Sequence, residues 1–275
     1  MPLFFYRLKR FNSVPCLLFF SALFSHAQSL PTPLASSSGY QMVFHDEFDT
    51  LNLSPNGTGS YSWYDGVWFS HKLAPLGNIS VSNSILTLLW TAGQPSFDTS
   101  ITTMSRDKTH YQAWRYGYFE ARLRWDVVSG AWPAFWMIPI QDAFATDIYA
   151  GQKESGEIDI FEGQGSQPHT FFATIHDWVN LKDSANLNNV VNLSPSVDMS
   201  QFHTYGLLWI PGQMTWYLDG VPIHSEMARP IFDLQNFFVV IGMQEGANWT
   251  SGNMTGVTAT SMKMDVDWFR VWQKQ

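Results

Sequence analysis

From Tyr40 to the end, the chain alternates short apolar runs with polar and turn residues at nearly even intervals. "YQMVFHDEF", "ISVSNSILTLLW", "YGYFEARLRW", "AFWMIPI", "EIDIFEG", "FFATIHDW", "HTYGLLWI", "MTWYLDGVPIHSE", "FFVVIGMQ" and "MKMDVDWFRVWQ" each read as a strand or a hairpin. Their period is two rather than 3.6, and no segment carries the apolar stripe of an amphipathic helix. In "WYLDGVPI" the Asp219-Gly220 pair marks a tight hairpin turn. Strands of this number and spacing predict an all-β fold of two packed antiparallel sheets. Segments 91–112 and 179–200 are polar and irregular, and are expected to be loops at the rim of a site.

The first residues follow another pattern. Arg7, Lys9 and Arg10 precede the apolar run "VPCLLFFSALF", and Ser25 and Ala27 stand where a signal peptidase needs small residues. Residues 1–27 are therefore expected to be a signal peptide, making the protein a secreted one. The run is too short to span a bilayer, and no later run is longer. Residues 28–39, "QSLPTPLASSSG", read as a flexible linker, which leaves 40–275 as one domain.

Composition narrows the function classes. Without residues 1–27 the chain keeps 12 basic and 23 acidic side chains, a net charge of −11, and no cysteine. Such a chain is held by its core rather than by disulfides, and about 250 residues suffice for that. An acidic surface without basic clusters excludes nucleic acid and anionic membrane as ready partners. Aromatic residues make up 16% of the chain, with 13 tryptophans. A large sandwich core explains them, and so does a cleft in which flat rings stack on sugars.

The acids of "SGEIDIFEGQG" need a reason in a chain with only 14% charged residues. Unpaired carboxylates on a core strand are costly, so Glu157, Asp159 and Glu162 either line a solvated face or do chemistry. Regular alternation would turn Glu162 inward beside Ile158 and Ile160. A β-bulge between Asp159 and Glu162 inserts one residue, restores the parity and puts all three acids on one face. Glu157 and Glu162 would then stand about 13 Å apart at Cα. Their side chains would leave about 5–6 Å between carboxyls, nearer the spacing of a retaining than of an inverting glycosidase.

"EIDIFE" resembles the Glu-x-Asp-x-x-Glu signature of family 16 glycoside hydrolases, in the bulged spacing of their laminarinase-like branch. "FHDEFDTLNL", "YGYFEARLRW" with "AWPAFWMIP", "FHTYGLLWIPGQMTWYLDG" and "MDVDWFRVWQ" continue the likeness over nearly the whole chain, in the family's order. The resemblance implies a β-jelly roll with a concave substrate cleft, acting as a monomer on a polysaccharide by retention. It implies Glu157 as nucleophile, Glu162 as general acid/base, and Asp159 between them as the residue that tunes Glu157. No cofactor is expected for catalysis. The expected substrate is a β-1,3- or mixed-linkage β-glucan, or a related exopolysaccharide. A transglycosylase would share these acids; a lectin would share the sandwich but has no need of the trio.

By the same resemblance Trp132, Trp136, His176, Asn78 and Trp249 are expected at the substrate. Each has a bland alternative: core packing for the tryptophans, a structural role for His176. Arg115 and Tyr111 are further candidates for sugar hydroxyls. "IGMQEGANW" departs from the family, with Ile241 where relatives carry asparagine and Glu245 where they carry glycine. This puts the usual glucan contacts in doubt. Many relatives hold a structural calcium on the convex face, and Glu47 and Asp267 match the positions of its acids. Two carboxylates fall short of the six to eight oxygens that calcium takes.

Overall fold

The computed structural model describes residues 30–66, 72–95, 98–140, 154–179, 182–183, 189–246, 257 and 259–275. Trp249 and the leader segment 1–27 lie outside them. Short β-branched and aromatic runs become β1 (Tyr40–Asp46), β2 (Tyr64–Asp65), β3 (Ile79–Ser82), β4 (Ile85–Thr91), β5 (Asp98–Thr102), β6 (Gly117–Trp125), β7 (Ala131–Pro139) and β8 (Glu154–Gly163). The second half gives β9 (Thr170–Val179), β10 (Lys182–Asp183), β11 (Val190–Asn192), β12 (His203–Ile210), β13 (Gln213–Leu218), β14 (Val221–Met227), β15 (Phe237–Glu245) and β16 (Ser261–Lys274). Two three-residue turns of 3-10 type, Thr32–Leu34 and Phe232–Leu234, accompany the strands.

The strands form two antiparallel sheets. The first has the order β14-β13-β12-β6-β16-β4-β3, with β1 also on β16; the second has β10-β9-β8-β7-β15-β5-β2, with β11 also on β9. Their inner faces meet in one core that includes Phe119, Leu123, Phe135, Ile158, Phe161, Leu207, Trp216, Ile241 and Phe269. The expected turn at Asp219-Gly220 is present, with both residues at positive φ (50° and 75°) between the paired Leu218 and Val221. Asn83 and Ser84 (53° and 56°) join β3 to β4 in the same way.

Two expectations need correction. Segment 91–112 is not all loop, because it contains β5, paired with β15 on one side and β2 on the other. All five residues of "DTSIT" are buried, and their hydroxyls find partners: Thr99 Oγ1 donates to Leu89 O (3.0 Å) and Ser100 Oγ to Asp98 Oδ2 (2.8 Å). Small polar side chains satisfied this way leave no apolar alternation to read. Segment 179–200 likewise contains the short β10 and β11. Second, residues 31–39 belong to the compact unit Pro31–Gln275 rather than to a linker. Thr32–Leu34 forms a 3-10 turn that buries Leu34 against Tyr118 and Trp272 on the outer face of the first sheet.

Candidate active site

Strand β8 carries the acids, and its register shows how. Asp159 pairs with Thr174 and Glu162 with Phe172, so three steps on β8 answer two on β9. Toward β7 the same slip separates Trp136–Asp159 from Phe135–Phe161. Ile160 and Phe161 both enter the core, at 1% and 0% exposure, which leaves Asp159 and Glu162 on the outer face of the second sheet. Glu157, opposite His176 on β9, shares that face. The bulge expected from side-chain parity is therefore present at the expected residues. Glycines fix the strand at both ends. A Cβ on Gly156 would lie 2.8 Å from the Phe232 ring, and one on Gly163 would lie 2.8 Å from Pro133 Cγ.

The acids have different surroundings. Asp159 is 3% exposed, and its Oδ2 lies 3.0 Å from His176 Nε2, close enough for an ion pair without the angle of a hydrogen bond. Glu162 accepts a hydrogen bond from Trp132 Nε1 at 2.8 Å. Its pKa is raised well above the ordinary glutamate value, first by burial and then by the charge of Asp159, with a further contribution from Glu157. The Trp132 hydrogen bond and His176 oppose that rise without cancelling it. Glu162 is thus held in its protonated form at pH values where an ordinary glutamate is ionised.

Trp136 faces the same side as Asp159, half-buried against Met104, Ile138, Phe238 and Val240, which cluster outside the main core. Trp132, His176 and Trp136 are therefore brought to the acids. Asn78 is 7% exposed, and its amide nitrogen donates to Thr91 Oγ1 (3.3 Å) and Gln94 Oε1 (3.2 Å), a network that ties β4 to β5. Arg115 donates to the carbonyl of Asp233 at 2.9 Å, and Tyr111 is exposed.

Ile241 is fully buried between the sheets, so its side chain is not a substrate position in this chain. The neighbours that face the acids' side are Gly242, opposite Ala134, and Gln244, opposite Trp132. Glu245 is half-buried at the end of β15. The apolar run of β15 concealed this parity in the sequence. Sequence reasoning also missed Thr174, directly across from Asp159, and Trp216 of the other sheet, whose Nε1 donates to Asp159 O at 2.8 Å. Nothing in a tryptophan on an apolar strand signals such a contact.

The residues expected to hold calcium do not fit it as they stand. Both carboxylate oxygens of Glu47 are taken by Arg270, at 2.9 and 2.7 Å, and Asp267 is paired with Arg122. A guanidinium fork already supplies the positive charge a cation would bring. Among the described residues, one group of His and acidic side chains converges closely enough for a metal: Glu157, Asp159 and His176, with donor atoms within 4.8 Å of one another. These are the groups at the bulge, where His176 Nε2 already lies 3.0 Å from Asp159 Oδ2.

A glutamate whose carboxyl is held toward its protonated form beside further carboxylates, on the outer face of a two-sheet sandwich, fits one class: the glycoside hydrolases built on a jelly roll. The model of glycosyl hydrolases family 16 matches residues 77–270, and the chain belongs to that family. It is 26% identical over 259 residues to the endo-1,3-1,4-beta-glycanase ExsH of Rhizobium meliloti, covering 82% of this chain and 52% of that protein. With the beta-glucanase of Rhodothermus marinus it shares 25% identity over 250 residues, 85% of each chain. The chain thus spans about half the length of the first of these relatives. The fold is that of the endo-1,3-beta-glucanase (laminarinase) catalytic domain of Thermotoga petrophila, with a TM-score of 0.68 at 23% identity, covering 86% of this chain and 98% of that one.

Proposed function

We propose that the protein is a secreted endo-β-glycosidase that cleaves β-1,3- or mixed-linkage β-glucan with retention of configuration. The observation that carries this reading is the bulge of β8, which gathers Glu157, Asp159 and Glu162 on one face, where burial and the charge of Asp159 raise the pKa of Glu162. Glu162 gives its proton to the glycosidic oxygen as the bond to the leaving sugar breaks. Glu157 attacks the anomeric carbon and forms the glycosyl-enzyme. Esterification of Glu157 removes a charge that held Glu162 protonated, so Glu162 now takes a proton from water. The hydroxide equivalent displaces Glu157, and the sugar leaves with its original configuration. Asp159, beside His176, sets the charge between the two glutamates. Trp132 orients Glu162, and Trp136 offers its ring to a sugar face.

The glucan assignment is supported by the endo-1,3-1,4-beta-glycanase and the beta-glucanase among the relatives, and export by the leader pattern of residues 1–27. One experiment covers both. Protein recovered from the medium of an expressing host should begin at Gln28 and release reducing sugar from laminarin or lichenan. Agarose, carrageenan and succinoglycan-like polymers serve as the comparison. Glu157→Gln should show the same circular dichroism and activity at background. Cleavage confined to a galactan would overturn the substrate, and substantial turnover by Glu157→Gln would overturn the nucleophile.

A further inference from the structure

Trp216 lies on β13 of the first sheet, fully buried, between Leu207 of β12 and His224 of β14. Its indole crosses the sandwich and meets the catalytic strand of the second sheet. Nε1 donates to the carbonyl of Asp159 at 2.8 Å, a contact buried from solvent. Asp159 is the residue at which β8 loses register with both of its neighbours. A bulge disrupts the ladder locally, and buried backbone groups there need partners from elsewhere. Other core tryptophans show that this N–H is not held by packing alone. Trp90 and Trp209 are as deeply buried, at 2% and 0% exposure, and their Nε1 atoms have no hydrogen-bond partner.

The structure assigns Trp216 a positioning role in catalysis: its N–H fixes the Asp159–Ile160 peptide at the bulge, and thereby the placement of Asp159 relative to Glu162 on the opposite face. The carbonyl and the carboxylates belong to one short stretch of backbone, so a rotation of that peptide moves both. Without the indole N–H, the carbonyl would lose a buried donor at the point where the ladder is broken, and the peptide would turn to find another. Asp159 would then leave its place 3.0 Å from His176 and change its distance to Glu162. Trp216 touches no substrate. It acts through the strand, from inside the core.

The inference rests on the roles given above to the three acids, and its test separates the two. Trp216→Phe keeps an aromatic ring in the core and removes the N–H; Trp209→Phe makes the same change where no hydrogen bond is lost. Trp216→Phe is expected to lower kcat about ten-fold or more while KM for polymer stays within about two-fold. The basic limb of its pH profile should move to lower pH, because Asp159 no longer holds the proton on Glu162 as firmly. Trp209→Phe should keep both wild-type kcat and the wild-type profile. Equal kcat and equal profiles in the two variants would overturn the inference. Should Trp216→Phe fail to fold, β-(3-benzothienyl)alanine at 216 keeps the shape of the indole without its N–H. The same loss of kcat supports the role, and wild-type kcat overturns it. If Glu157→Gln is inactive while position 216 is silent, this inference alone falls. If Glu157→Gln turns over freely, the acid roles fall first.

Discussion

Asp159 is the charge that most directly holds the proton on Glu162, because it follows burial as the second cause of the raised pKa. Asp159→Asn removes that charge with little change in volume, so the pKa of Glu162 should fall. The protonated form is the active acid, and activity is lost as pH rises through its pKa. A lower pKa therefore moves the basic limb of the kcat/KM profile toward acid. Trp132→Phe should do the opposite, since the hydrogen bond it removes favours the ionised form. A basic limb that stays in place in Asp159→Asn would mean that another group controls the proton. These acids were legible in the sequence because their spacing and parity are local properties of one strand. The roles of Trp132 and His176 were legible only through family likeness. The partners of Asn78, Thr91 and Gln94, were not legible at all, because a buried amide near a strand end looks the same in sequence whatever it binds.

At the scale of the element, β8 depends on close approach at its ends. A Cβ at Gly163 would lie 2.8 Å from Pro133 Cγ and 3.1 Å from both Phe161 Cζ and Trp125 Cζ2. None of these is the free end of a flexible chain. Gly163→Ala should cost about 1–3 kcal/mol of stability, as overpacking of a filled core does. It should also lower activity beyond the loss of folded protein, because Glu162 is the adjoining residue. Chemical denaturation with activity normalised to folded fraction measures both, and an unchanged midpoint would show that the strand shifts freely. Most strands were readable from alternation, and β12 matches its quoted run residue for residue. β5 was not readable, because its buried residues are threonine, serine and aspartate satisfied by hydrogen bonds rather than by apolar contact.

Over the whole molecule, opposite charges on the outer face of the first sheet are matched within the protein. Arg270 grips Glu47 and stacks over Trp268 at 4.1 Å, while Arg122 pairs with Asp267 and lies over the ring of Phe202 at 4.7 Å. A metal stabilises a fold only by binding the native state, and here it would have to displace two guanidinium groups. Chelation should therefore leave the melting temperature unchanged, and added calcium should not raise it. A fall in Tm on adding chelator to freshly purified protein, reversed by calcium, would show that the arginines give way.

By itself, the sequence determined most of the strands, where the tight hairpin turns, and that three acids share one face across a bulge. Each follows from the two-residue period of a strand or from the backbone freedom of a turn residue, and both act over a few positions. Tertiary structure alone decided the rest. It turned Ile241 inward and set Gly242 and Gln244 on the acids' side, and it gave Glu47 and Asp267 to arginines. It also brought Trp216 from the opposite sheet to the carbonyl of Asp159, 57 positions away. Those outcomes depend on which strands become neighbours and on what lies above each face, and no local pattern in the chain encodes either.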